Sequence, residues 1–224
     1  VEVTTAQSLS ELPFLSGLDE PTLKELARHV RKRTLTPGQV IVIEGEPCQA
    51  VHLVARGLMR IRRLSQEGRE QVLSYAGSGG FFNLVPALDG GATLATVDAV
   101  SEAVAYAIPC ERFRQLLREH PEVAISVSEQ LAARVRSLSD LVETLALYTV
   151  RTRLARFLLA AGQSEKPPRR WTQQEIAAHI GTVREMVGRT LRAFTDEGLA
   201  RRQRGRLVIV DREGLMRVAS GSEH

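Results

Sequence analysis

The chain has 224 residues, 43% of them hydrophobic and 25% charged, enough to bury one large core or two modest ones. Its longest charge-free stretch, residues 71–88, contains Gly77, Gly79, Gly80 and Pro86, which no bilayer span would tolerate. No secretion leader is expected from its first residues, although it begins at Val1 without Met as a trimmed start would, and its two cysteines, Cys48 and Cys110, lie far apart in sequence. A disulfide framework and a four-cysteine metal site within one chain are both excluded, and the expected compartment is the cytoplasm. Charge is uneven: residues 150–224 carry 15 Lys/Arg against 8 Asp/Glu, whereas residues 1–149 carry 15 against 18. A basic last third is where a polyanion would be met, although a solvated basic face would account for charge alone.

In chain order, residues 9–30 place Leu12, Leu15, Leu18, Leu23, Leu26 and Val30 at helical spacing, with Asp19-Glu20-Pro21 as a helix entry. From Leu35 to about Ile108 the period becomes two. In this stretch Met59 and Ile61 alternate with Arg60 and Arg62, giving one dry face and one wet face. Turn signals at Gly38, Gly45, Gly57, Gly68, residues 77–80 and Gly90-Gly91 punctuate short strands, the pattern of a compact antiparallel roll. His120-Pro121-Glu122 opens a long helix. On it Leu131, Val135, Leu138, Val142 and Leu145 alternate four and three apart, a seam suited to pairing with its twin in a homodimer, or to packing on its own domain. Thr149 is the expected N-cap of a short helix, and residues 162–168 read as a loop.

Residues 172–199 are the densest in signal. Thr172-Gln-Gln-Glu175 and Thr182-Val-Arg-Glu185 both match a capping box, each predicting a helix start, and Gly181 stands between them. Ile176, Ala177, Ile180, Val187, Leu191 and Phe194 supply one apolar face. Two helices joined at one glycine-containing turn make a helix-turn-helix, and a hairpin after Leu199, turning near Arg204-Gly205, would be its wing. Arg184, Glu185, Gly188, Arg189 and Arg192 fall on the outward face of the second helix. Arginine pairs with guanine O6 and N7 and glutamate accepts from cytosine N4, so Arg184, Glu185 and Arg189 are the expected base readers.

With these residues the whole chain resembles the cyclic-AMP receptor protein and fumarate–nitrate regulator (Crp/Fnr) family of bacterial transcription regulators. The resemblance runs from the glycines Gly38, Gly45, Gly57 and Gly68 through the seam helix to the wing, and residues 184–189 are its most specific part. It implies an α+β fold: an N-terminal cyclic-nucleotide-binding-like β-roll (a double-stranded β-helix) over 1–118, a dimerisation helix over 119–148 and a winged helix-turn-helix over 149–224. It implies double-stranded DNA and a second copy as partners, with no membrane. RNA polymerase would be a further partner, touched by the loop around Glu67-Gly68. Thr172, Gln174 and Thr182 match phosphate-contacting positions, with Arg204 and Arg206 as further phosphate contacts in the wing.

The sequence departs from the cyclic-nucleotide-binding members of that family. Where they carry ribose and phosphate contacts, Asn83-Leu84 and Leu94-Ala95 stand here, and Leu138-Ser139 replaces the pair that meets the base. No Lys or Arg occurs from Glu70 to Glu111, so a buried phosphate would lack a counter-charge there. Asn83 and Val85 occupy the positions of the haem ligands of carbon monoxide sensors, leaving His29, His52 and His120 as candidates elsewhere. Cys48 sits in a polar turn and is a candidate redox-active thiol, though without a visible partner. What remains is an apolar pocket edged by Leu84, Leu94 and Leu138, with no cofactor expected and an effector unassigned. The competing class is a cyclic-nucleotide-binding regulatory subunit of an enzyme or channel, which the winged helix argues against. An enzyme is the weakest fit, since no nucleophile–base set or phosphate loop is visible.

Overall fold

The computed structural model describes residues 5–12, 14–161, 171–203 and 206–221. The chain divides into two compact units, residues 1–63 with 73–135, and residues 64–72 with 136–224.

The first unit opens with helices α1 (Ala6–Ser10) and α2 (Glu20–His29). Each has an N-cap that satisfies an otherwise orphaned amide: the Thr5 hydroxyl accepts from Ser8 N at 3.1 Å, and the Asp19 carboxylate accepts from Thr22 N at 3.0 Å. Strands follow: β1 (Arg31–Leu35), β2 (Val40–Val42), β3 (Ala50–Arg56), β4 (Met59–Leu64), β5 (Glu70–Ala76), β6 (Phe81–Phe82), β7 (Thr96–Ala99) and β8 (Ala103–Pro109). They form two four-stranded sheets, ordered β1-β8-β3-β6 and β2-β7-β4-β5. Register pairs Arg31 with Ala107 and His52 with Ala107, so residues from β1, β8 and β3 share one face. Leu35, Val54, Ala105, Met59, Ile61 and Val97 form the core between the sheets. Val51, Leu53, Tyr106 and Ile108 join a second core with residues of the helices. Both faces of the β1–β8–β3 sheet are covered, so β3 is buried at four successive residues, 51–54, and the period-two alternation belongs to β4 in the other sheet.

Arg60 and Arg62 do form the polar face expected of β4, but that face is not simply wet. Their neighbour across the ladder is Asp98 of β7, 2% exposed. Arg60 Nη2 donates to one carboxylate oxygen at 2.9 Å and Arg62 Nε to the other at 2.7 Å. A carboxylate this deep is tolerated because two guanidinium groups neutralise it.

Two helices interrupt or end the region expected to be all strand. One, α3 (Leu84–Asp89), lies between β6 and β7 with Leu84, Pro86 and Ala87 buried. The other, α4 (Cys110–Glu119), buries Cys110, Phe113 and Leu116. Helix α5 (Pro121–Leu147) begins at the expected proline, and its first turns bury Val123 and Val127 in the helix-side core.

The second unit contains the rest of α5, then α6 (Val150–Ala161), α7 (Gln173–Ile180), α8 (Arg184–Asp196), strands β9 (Ala200–Gln203) and β10 (Arg206–Ile209), and α9 (Arg212–Ser220). The Thr149 hydroxyl caps α6 by accepting from Thr152 N at 3.2 Å. The final helix, α9, was not expected. Asp211 caps it through Gly214 N at 2.8 Å, and Leu215 and Val218 anchor it in a core shared with Leu154, Ile176, Val187, Leu191 and Phe194. Among the described residues, no helix is long and apolar enough to cross a membrane. The loop expected over 162–168 lies outside the described residues.

Candidate nucleic-acid interface

Helix α7 starts at a complete capping box: Thr172 Oγ1 accepts from Glu175 N at 3.1 Å, and the Glu175 carboxylate accepts from Thr172 N at 2.8 Å. It ends at Gly181, whose φ of +68° is open to glycine at little cost. Two carbonyls at this end that the helix itself leaves unbonded find a side-chain partner. Arg153 of α6 donates from Nη1 to Ile180 O at 2.6 Å and to Gly181 O at 3.2 Å. Its cation also sits at the negative end of the α7 dipole. Sequence patterning gave no hint of this role, because Arg153 is 27 residues upstream.

The second capping box fails. Helix α8 begins one residue later than its pattern implies, with Val183 as N-cap and no side-chain cap bond. The turn after Gly181 needs Thr182, whose N–H goes back to Ala177 O at 3.0 Å. Thr182 is therefore a turn residue rather than a cap.

Helix α8 lays Val187, Thr190, Leu191 and Phe194 into the core, which fixes its opposite side outward. Arg184, Glu185 and Arg189 are exposed there, in the first two turns, and none has an ion-pair or hydrogen-bond partner among the described residues. Arg192 is exposed and donates to Gly188 O at 3.3 Å. Gly188 corrects the outward-face assignment. A Cβ there would meet Gln173 Oε1 at 3.3 Å, so this position is the close approach of α8 to α7. The far end of α8 is tied by Glu197, which accepts from Arg151 Nη1 at 2.9 Å, while the Arg151 guanidinium lies 5.0 Å over the Phe194 ring.

Of the expected phosphate contacts, Gln174 is exposed in the first turn of α7, and the Thr172 hydroxyl is engaged in the cap. Arg206 opens β10, paired in register with Gln203, and exposed Arg201 faces Val208 on the same hairpin. Arg204 lies outside the described residues.

In the first unit, the residues expected to edge an apolar pocket are not gathered round one cavity. Leu84 is buried in the helix-side core and Ala95 in the core between the sheets. Leu94 is 55% exposed. Leu138 and Ser139 belong to the second unit. Asn83 does line a cavity, of about 710 Å³, together with Arg31, Arg33, Gln49, His52 and Thr93. Its cations come from β1, outside the stretch of residues 70–111 where a cation was sought. His52 lies flat on Phe82 with ring centroids 4.7 Å apart, and its Nδ1 is buried with no hydrogen-bond partner among the described residues. Burial, with the Arg33 charge adding to it, pulls its pKa down to about 4, so the ring is neutral. His29 and His120 each lie 3.2 Å from a carboxylate oxygen, of Glu25 and Glu122 respectively.

A helix pair joined at a left-handed glycine, carrying exposed arginines outward and followed by a two-stranded wing, defines a winged helix-turn-helix DNA-binding module. Comparison with known proteins agrees. Residues 32–120 match the model of the cyclic nucleotide-binding domain, and residues 152–218 that of the Crp-like helix-turn-helix domain. The "Cyclic AMP receptor protein" of Thermus thermophilus is 30% identical over 210 residues, 93% of this chain and 97% of that one. The "cAMP-activated global transcriptional regulator Vfr" of Pseudomonas aeruginosa is 29% identical, covering 86% and 92%. Among solved structures, a putative Crp/Fnr-family transcriptional regulator from Eubacterium rectale superposes with a TM-score of 0.81 at 25% identity, covering 94% of this chain and 99% of that one. The chain belongs to the Crp/Fnr family of transcription regulators.

Proposed function

We propose that the chain works in the cytoplasm as a homodimeric, sequence-specific regulator of promoters. Residues 1–118 serve as sensor, 119–148 as dimer helix and 149–224 as DNA reader. The observation that carries the base-reading assignment is the unpaired set Arg184, Glu185 and Arg189 on the open side of α8. Arginines held in a solvated salt-bridge cluster would have carboxylate partners, and these have none among the described residues. Pairing through α5 is supported by its exposed apolar seam, with Val135 63% and Val142 65% exposed. Two reading helices related by a two-fold axis would enter successive major grooves about 34 Å apart, on a palindrome with TGTGA-like half-sites. Gln174, Thr172, Thr182 and the wing arginines Arg204 and Arg206 would hold the backbone, and the turn at Glu67-Gly68 would meet RNA polymerase.

Cyclic AMP, which names the relatives, is not the expected signal here. The stretch that supplies ribose and phosphate contacts in those members has no Lys or Arg in this chain. We assign signalling to a non-nucleotide effector, or to a permanently active roll.

The test is binding-site selection with wild type and Arg189→Ala. The variant should lose about 1–3 kcal/mol per half-site and relax its preference at one base pair. Gln174→Ala should weaken all sequences alike, because phosphates carry no base identity. If wild type and Arg189→Ala select the same half-site, Arg189 reads no base.

A further inference from the structure

Cys48 and Cys110 are 62 positions apart in the chain, yet the fold brings their Sγ atoms to 3.2 Å. The expectation that Cys48 lacks a partner is therefore wrong. Cys48 lies in the loop between β2 and β3, half-buried between exposed Pro47 and Gln49, and Cys110 is the buried first residue of α4. Both are free thiols. The Cys48 thiol points at two carbonyls, Ala50 O at 3.7 Å and Asn83 O at 3.8 Å, and the Cys110 thiol donates to Cys48 O at 3.4 Å.

Asn83 completes the arrangement. Its side-chain amide donates to Cys48 Sγ at 3.3 Å and to Ala50 O at 3.2 Å. It precedes α3 as N-cap, makes no side-chain cap bond, and is the one non-glycine residue with positive φ, +62°, among those described. Asparagine tolerates the left-handed region, and bonds to a thiol-bearing loop hold it there. Neither the reading helix nor the wing makes use of it.

We propose that Cys48 and Cys110 form a reversible dithiol–disulfide site, oxidised by exchange with small-molecule disulfides of the glutathione class. The Cys48 thiolate, the more accessible of the two, attacks one sulfur of the small disulfide. The old S–S bond breaks, a mixed disulfide forms on Cys48, and the first small thiolate leaves to take up a proton. The Cys110 thiolate then attacks the Cys48 sulfur, and the second small thiolate departs in the same way. The protein loses two hydrogens, and one small disulfide becomes two small thiols. The sulfurs need to close by only about 1.2 Å to reach a bond of ~2.05 Å.

Burial and the neighbouring Cys110 thiol push the Cys48 pKa up to about 12. The first step is therefore slow at neutral pH and should quicken about tenfold per pH unit through the neutral range, as the thiolate fraction rises. Closure removes the S–H donors from the carbonyls of Ala50, Asn83 and Cys48. Oxidation is thereby felt at the residue that leads into α3.

The experiment uses the full chain, first reduced and then held at pH 8 with excess oxidised glutathione. Mass spectrometry should show the loss of two hydrogen masses with no retained glutathione. Digestion without reductant should yield one peptide pair joined through Cys48 and Cys110, which dithiothreitol separates. Cys110→Ser, checked for folding by circular dichroism, should instead retain glutathione on Cys48. Cys48→Ser should react far more slowly than either. Two thiols still titratable in the unfolded, oxidant-treated wild type would overturn the proposal, as would a persistent mixed disulfide that never closes.

Discussion

Replacing Gly181 with alanine tests how the reading helices are held. The backbone there has φ +68°, a region in which an alanine costs about 1–2 kcal/mol. The added Cβ would stand 2.4 Å from Leu145 Cδ2, 2.6 Å from Gln71 Oε1 and 3.2 Å from Arg153 Nη1. The first two are ends of flexible side chains that can turn away, at about 1 kcal/mol for an off-rotamer position. Arg153 is less free, because moving it weakens its bonds to Ile180 O and Gly181 O. Together these give a loss of about 2–4 kcal/mol. The assay is urea unfolding followed by fluorescence of Trp171, the only tryptophan in the chain. Its ring packs edge-on 5.1 Å from Phe157 and 5.8 Å from His179, so it reports the second unit. Gly181→Asn should recover the conformational part alone, since asparagine tolerates the left-handed region but keeps the Cβ clash. A loss below about 0.5 kcal/mol for Gly181→Ala would refute the account, because surface changes without a mechanism fall in that range.

Leu138→Glu should place a charge in the seam and shift the protein from dimer to monomer in analytical ultracentrifugation; an unchanged mass would mean that α5 packs only within its own chain. DNA affinity should fall with it, since two half-sites must be engaged at once. His52 is neutral in the fold at about pKa 4, while the unfolded chain protonates near 6.5, so protons favour unfolding. Its contribution should be complete above pH 6.5 and decline by up to about 3 kcal/mol as the pH falls to 4. Denaturant melts of His52→Gln should lack that part of the slope. Titration calorimetry with cyclic AMP or cyclic GMP at millimolar concentration should show no saturable heat, and micromolar binding would mean that the cations of β1 serve the cavity after all.

What was legible in the sequence was mostly local. The Thr172–Glu175 box, Gly181 and the apolar face ending at Phe194 all lie within some twenty residues, and each acts on its immediate neighbours. The failed box at Thr182 shows the limit of that kind of signal. The residue pattern is right, but the three-residue turn uses Thr182 before it can cap anything. Short helices such as α3 were hidden because an apolar run of five, Leu84 to Leu88, is too short for its period to tell a helix from a buried strand. Non-local chemistry was invisible. The contact between Cys48 and Cys110, and the entry of Arg31 and Arg33 into the Asn83 cavity, depend on the strand order β1-β8-β3-β6, which no spacing along the chain encodes.

The carboxylate of Asp98, held between Arg60 and Arg62, has a consequence for how the roll can assemble. Its own strand pairs on both sides, with β2 and with β4, and the β2 side already contains an irregularity between Val40 and Val42. A slip of β4 by one residue would bring Met59 and Ile61 out to water and leave a buried anion without either guanidinium. Misaligned pairings are thereby made expensive by several kcal/mol, a penalty that an all-apolar ladder of the same strands would lack. The triad therefore works as a key for alignment: it adds little to the stability of the correct sheet and excludes its nearest competitors while the strands come together.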